Sequence, residues 1–301
     1  MRKKALLGAL LFALWGSAVA ASENSTVYLP IIQNHPAPPL ENPNMIVFTS
    51  NRDGDDEIYT MNQDGSNVVR LTHSPGRDWA AKWSPDWTRI AFFSDRDGNE
   101  EIYAMNADGL GVVRLTNNPA HDNYPDWSPD GTQIVFASDR EGNYSLYIMD
   151  ADGSGISRVG SFLGVTPSWS PDAERIAFWG LYDIYVVNVN GSGLTNITQA
   201  GLRDYFPCWS PDGTVIAFDG YDRGRDVFII PSNGGEVNRL TDNNQIIFGS
   251  PSWRSDGLKL VFAQGVQSPW SPEILTVDYP TGIITQLTND SFFDGMPDWT
   301  P

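Results

Sequence analysis

The stretch WSPDGTQIVFASDREGNYSLYIMDADGSG, residues 127–155, holds two runs of alternating apolar residues and three glycine-containing turns. Read alone it is a hairpin. Slid along the chain it finds its own likeness at Trp83-Ser-Pro-Asp86, Trp127-Ser-Pro-Asp130, Trp169-Ser-Pro-Asp172 and Trp209-Ser-Pro-Asp212, then at a drifted Trp253-Arg-Ser-Asp256 and a short Trp299-Thr-Pro301. The spacings are 44, 42, 40, 44 and 46 residues, so the hairpin is one part of a repeat.

Three further landmarks recur. The first is Ile90-Ala-Phe92, with counterparts from Ile46-Val-Phe48 to Leu260-Val-Phe262. Next come Ile58-Tyr59, Ile102-Tyr103, Leu146-Tyr147, Ile184-Tyr185, Val227-Phe228 and Ile274-Leu275. Leu71-Thr72, Leu115-Thr116, Ile197-Thr198, Leu240-Thr241 and Leu287-Thr288 follow, with Val159-Gly160 standing in the third copy. Each is short, β-branched or aromatic, and bounded by turn residues, which is the signature of a strand. Pro followed by Asp and Gly suits a type I turn after the Trp strand, and Asp-Gly or Asn-Gly turns the third strand into the fourth. Four strands per period of 40–46 residues predict an all-β chain, a six-bladed β-propeller of four-stranded antiparallel blades spanning residues 45–301. The first copy lacks its Trp strand and the C-terminus carries an extra one, so the first blade is expected to be completed by the C-terminal strand, leaving no open sheet edge in the ring.

Ahead of the repeat, Arg2, Lys3 and Lys4 precede an uncharged run ending in Ala18-Val19-Ala20, which reads as a signal peptide over residues 1–20. Residues 21–44 hold Pro30, Pro36, Pro38, Pro39 and Pro43 and read as a Pro-rich linker. Export to the periplasm, the cell envelope or the medium is the expected destination. The net charge is −18, and more negative once the three leading cations are removed, which speaks against nucleic acid or anionic lipid as partners. A single cysteine, Cys208, permits no internal disulfide. A monomer is expected.

The pattern Trp-Ser-Pro-Asp-Gly, Ile-Ala-Phe, Ser-Asp-Arg-Asp-Gly, Ile-Tyr-x-Met-Asn-x-Asp-Gly and Arg-Leu-Thr resembles the Pro-Asp, WD-repeat-like blades of TolB-family propellers. Similar blades occur in the propeller domains of prolyl oligopeptidases. The resemblance covers residues 45–301 and implies a non-enzymatic platform that binds a protein or peptide. It departs from TolB in lacking a globular domain between the leader and the first blade, and from the oligopeptidases in lacking Gly-x-Ser-x-Gly.

Five residues before the landmark Trp lie Asp78, Asp122, Asp204 and Asp294, where two copies have Gly164 and Phe248. One position earlier are Arg77, His121, Arg203 and Phe293. With the Trp strand innermost, these residues are expected on one rim of the ring, at the channel mouth. Four carboxylates there would either contact a partner or hold a cation such as calcium; the competing reading is that each Asp caps its own loop. A calcium-assisted lactonase, or a sugar-active hydrolase or lyase, is therefore the enzymatic alternative to protein binding. A carbohydrate-binding adhesin is the third, with the off-pattern Trp87, Trp179 and Trp270 as its exposed aromatics. The Asn51-Arg-Asp-Gly and Asp95-Arg-Asp-Gly segments read as polar hairpin turns. His73 and His121 are expected on loop surface, and the Trp series as packing between blades.

Overall fold

The computed structural model describes residues 44–199, 203–221, 224–242, 246–247, 250–268 and 271–300. The residues expected to form a signal peptide, most of the expected linker with its His35, and Phe248 and Trp270 lie outside the described residues.

Six antiparallel sheets form the domain. Blade 2 shows the plan: strands Asp78–Trp83, Arg89–Ser94, Glu101–Asn106 and Val113–Arg114 pair in sequence order from the inside outwards. Blades 3, 4 and 5 repeat it, beginning at Asp122–Trp127, Val165–Trp169 and Arg203–Trp209. In blade 6 the inner strand is split into Ile246–Ile247 and Ser252–Trp253, both paired with Lys259–Ser268. Blade 1 takes its inner strand, Asp294–Trp299, from the C-terminus and pairs it with Met45–Ser50 through Ile46 opposite Trp299 and Val47 opposite Asp298. The Thr300 amide donates to the Met45 carbonyl at 2.9 Å, and the Met45 amide to Thr300 Oγ1 at 3.1 Å. The ring is thus fastened by both ends of the repeat, as its spacing predicts.

Each sequence landmark has a physical task. The six tryptophans are buried, and each packs on the blade before its own: Trp127 sits among Ala91, Ile102 and Ala104 of blade 2, and Trp299 among Val261, Ala263 and Ile274 of blade 6. In the Ser-Pro-Asp turn, Ser84 Oγ donates to Asp86 Oδ1 at 2.6 Å and accepts the Arg89 amide at 2.9 Å. The threonine of Leu-Thr accepts the amide that opens the third strand, as in Ile58 to Thr72 at 2.9 Å and Ile102 to Thr116 at 2.9 Å, and donates in turn to Glu57 or Glu101. Backbone groups at a short outer strand are satisfied in this way by side chains.

One feature of the inner strands has no counterpart in the sequence pattern. Three residues before each Trp the backbone turns left-handed: Ala80, Tyr124, Thr166, Phe206, Ser250 and Met296 have φ between 41° and 52°. Pairing with the second strand shifts register there, for example between Trp79 and Lys82 and between Asn123 and Asp126. These are β-bulges, and none carries the glycine that usually announces one. They bend the inner strand where it lines the channel.

Candidate functional site

At the rim that carries the predicted aspartates, Asp78, Asp122, Asp204 and Asp294 are all buried at the start of inner strands. Three of them are latched by an arginine of the Asn-Arg or Asp-Arg turn between the second and third strands of the same blade. Arg96 Nη2 donates to both Asp78 oxygens at 2.8 and 2.7 Å, Arg52 Nη2 to both Asp294 oxygens at 2.8 Å, and Arg140 Nη2 to Asp122 Oδ2 at 2.9 Å. The same guanidinium lies over the blade's Phe and Tyr: Arg96 is 5.4 Å from the Phe92 ring centre and 4.8 Å from that of Tyr103, and Arg140 repeats this on Phe136 and Tyr147. Its Nε donates to the preceding serine, Ser94 or Ser138, at 2.9 Å. The polar turns are therefore more than turns: their arginines lock the rim from inside.

The remaining blades vary this device. In blade 4 the aspartate position is Gly164, where a Cβ would come within 2.5 Å of Phe178, and Phe162 stacks on Phe178 at 4.8 Å in place of the ion pair. In blade 5, Asp204 has no hydrogen-bond partner for either oxygen among the described residues. Burial pushes its carboxyl up to about 6; the nearby Thr198 hydroxyl, short of hydrogen-bond geometry, offsets part of this and Asp183 adds to it. Asp219, next to it in the sheet, pairs with Arg225 yet is pushed by burial to about 7.

The four aspartates do not converge. Among the described residues, the acidic oxygens gathered as a group of three within 4.8 Å belong to Glu273, Asp290 and Asp294. Arg52 already stands against two of these, 2.8 Å from Asp294 and 3.5 Å from Asp290. Of the flanking positions, Arg77, His121 and Arg203 are exposed: Arg77 pairs with Asp95 at 3.1 Å, His121 Nδ1 lies 3.7 Å from Glu100, and Arg203 covers the Tyr182 ring at 5.5 Å. His73 is exposed too. Phe293 is half-buried and stacks on Trp79 at 5.2 Å.

That stack belongs to an aromatic collar which sequence reading missed. Phe93 meets Tyr124 at 5.4 Å, Tyr124 meets Phe206 at 5.9 Å, and Trp179 meets Tyr205 at 5.1 Å. A cavity of about 130 Å³ opens between Arg77, Trp79, Phe93, Asp95, Glu100 and Tyr124. Tyr124 and Phe206 come from blades 3 and 5, which are not neighbours, so their contact crosses the channel at its waist. The space left there, beside Thr166, Ser250 and Met296, is about 30 Å³.

Beyond the waist the channel widens again, to about 290 Å³, between the Trp-Ser-Pro segments. Its wall is made by the residue before each Trp: Lys82, Asp126, Ser168, Cys208, Ser252 and Asp298. Lys82 Nζ donates to Asp298 Oδ1 at 2.9 Å, and Ser252 Oγ to the same oxygen at 2.9 Å. Asp298 Oδ2 accepts the Trp83 amide at 3.0 Å, and Asp126 Oδ2 the Trp169 amide at 2.7 Å. Burial pulls the Lys82 ammonium down, but Asp298 and then Asp126 more than offset it. Burial raises Asp126 to about 6, with Lys82 countering, and raises the Cys208 thiol to about 11. Cys208 is thus a neutral wall residue rather than a nucleophile.

Fold and site define a closed six-bladed β-propeller whose central channel is blocked at the waist and differs on its two faces. The chain belongs to the TolB beta propeller domain family, whose model matches residues 34–114, 75–179 and 159–301. It is 30% identical over 124 residues to a TolB homolog protein of Chlorobium luteolum, covering 40% of this chain and 28% of that one. The curated relatives it matches are covered over 39%, 28% and 16% of their own length. The crystal structure of TolB from Acinetobacter baumannii superposes with a TM-score of 0.74 at 21% identity, over 86% of this chain and 67% of that one. An oligogalacturonate lyase in complex with manganese gives 0.56 at 17% identity, over 81% and 73%. At these identities the structures share the fold. Among the described residues no helix is long and apolar enough to cross a membrane.

Proposed function

We propose that this chain is an exported, monomeric, non-enzymatic propeller that binds a protein or peptide on its aspartate rim. The observation that carries this reading is the collar. Asp78, Asp122 and Asp294 are consumed by Arg96, Arg140 and Arg52, while Trp79, Tyr124 and Phe293 stay half-open on the rim that also carries the exposed Arg77 and His121 and, in blade 5, Arg203. Trp, Tyr and Arg are the side chains that dominate protein contacts. The buried aspartates then hold the rim rigid, and the flanking residues make the contact. Membership of the TolB propeller family supports the same class of role and an envelope or periplasmic location.

The test is capture from envelope and secreted fractions with the parent and with Arg77→Ala combined with Arg203→Ala as bait. Loss of the captured protein from the double variant, with its melting temperature unchanged, is expected. Equal capture by both contradicts the assignment.

The calcium reading names Asp78, Asp122, Asp204 and Asp294; of these only Asp294 belongs to the acidic trio found among the described residues, with Glu273 and Asp290. A cation entering there would have to displace Arg52. A melting temperature that stays flat through a calcium titration fits the binding reading; a rise at millimolar calcium would favour the hydrolase or lyase.

A further inference from the structure

The channel face opposite the aspartate rim holds a cup that opens to solvent, and its wall chemistry is uneven. The waist where Tyr124 meets Phe206 lies inward of it, and the exposed Pro171 and Pro211 stand at the open edge. Between them lie about 290 Å³, room for one long side chain or a small molecule of similar size.

Going round the ring from blade 1 to blade 6, the six wall residues read Asp298, Lys82, Asp126, Ser168, Cys208 and Ser252. One half is ionic and the other small and neutral, so the free space is bordered by charge on one side only. Within the ionic half, Asp298 has a full set of donors in Lys82, Ser252 and the Trp83 amide. Asp126 accepts the Trp169 amide on Oδ2, the Trp127 amide lies close to its carboxylate short of hydrogen-bond geometry, and Oδ1 accepts no hydrogen bond among the described residues. Asp204 has two sealed, unpartnered oxygens; Asp126 Oδ1 is not sealed in that way, and it opens onto the cup that Asp126 lines. Two carboxylates against one ammonium give the wall an excess negative charge, inside walls of Trp and Pro where a charge–charge contact is weakly screened.

We propose that this cup binds an alkylammonium group on an apolar stem, with Asp126 as its counter-ion and the Trp-Ser-Pro walls around the stem. The ammonium completes the bonding of Asp126 Oδ1 in the way Lys82 completes that of Asp298. Two sources share this chemistry: a free aliphatic diamine, and a lysine side chain presented by a peptide. The site is separate from the aspartate rim, so its failure leaves the protein-binding reading untouched, and the reverse.

Calorimetric titration of the full chain with 1,5-diaminopentane, with a short peptide carrying one lysine, and with 1-pentanol as the uncharged control decides it. Expected is binding of at least one amine, no binding of pentanol, and a loss of about tenfold or more in Asp126→Asn, the size of one charge-assisted contact. The carboxamide in that variant retains an oxygen for the Trp169 amide, and an unchanged melting curve shows that the wall is intact. Lys82→Met, which leaves Asp298 without its ammonium, is expected to bind the amine more tightly. The arm that binds names the source. Absence of binding by both amines at about 10 mM, equal binding of pentanol, or amine affinities unmoved in both variants overturns the proposal.

Discussion

Asp204 is the residue at which the rim's own rule lapses. Its counterparts in blades 1, 2 and 3 each meet an arginine, whereas Asp204 is buried with both oxygens unpartnered among the described residues and its carboxyl is pushed by burial to about 6. In the unfolded chain an aspartate titrates near 3.8. The folded state therefore holds this proton more tightly, and the stabilisation that results is complete below about pH 4 and lost as pH rises through about 6. Above that the charge is buried at a cost. Asp204→Asn is expected to melt higher than the parent at pH 8, with the gap closing at pH 4; a gap of equal size at both pH values would show that Asp204 is not the titrating group. The repeated aspartate was legible in the sequence as a position, and loop capping was among its readings. Its arginine partner was not, because Arg52, Arg96 and Arg140 sit in segments whose Gly and Asp already suffice to explain a turn.

The element that decides the channel's shape is the bulged inner strand. Left-handed backbone at a residue with a Cβ costs about 1–2 kcal/mol, and a β-branched residue tolerates it least. Thr166, with φ 49°, is the one β-branched residue of the six and buries a hydroxyl that has no partner among the described residues. Thr166→Gly is expected to stabilise the fold by about 1 kcal/mol, read from urea unfolding midpoints at unchanged slope. A loss of stability instead would mean that Thr166 contributes more by filling the waist than its backbone costs. Nothing in the sequence points to these bulges, since Ala, Tyr, Thr, Phe, Ser and Met share neither shape nor polarity. The same holds for the cup: Lys82, Asp126, Ser168, Cys208, Ser252 and Asp298 occupy equivalent places, but only the ring shows that they face one another.

For the whole molecule the sequence was most informative, because strands, turns and blade count follow from landmarks that recur at a steady interval and do not depend on which side chains meet. The aromatic collar and the two channel faces arise from contacts between blades, such as Tyr124 with Phe206, about 80 residues apart in the chain, and periodicity within a repeat carries no record of those. Both faces exist only while the ring is shut. Closure rests on Asp294–Trp299 pairing with Met45–Ser50, on Trp299 packed among residues of blades 6 and 1, and on Asp298, which ties Lys82 and the Trp83 amide of blade 2 to Ser252 of blade 6. The most direct test is the thermal unfolding of a chain ending at Phe293. Removal of the strand is expected to lower the melting temperature by at least about 10 °C, as loss of several kcal/mol of packing would in a domain this size, and to broaden the transition as blades 1 and 6 lose their neighbour. A truncated chain that unfolds at the parent's temperature, in one equally sharp step, would contradict the closed ring.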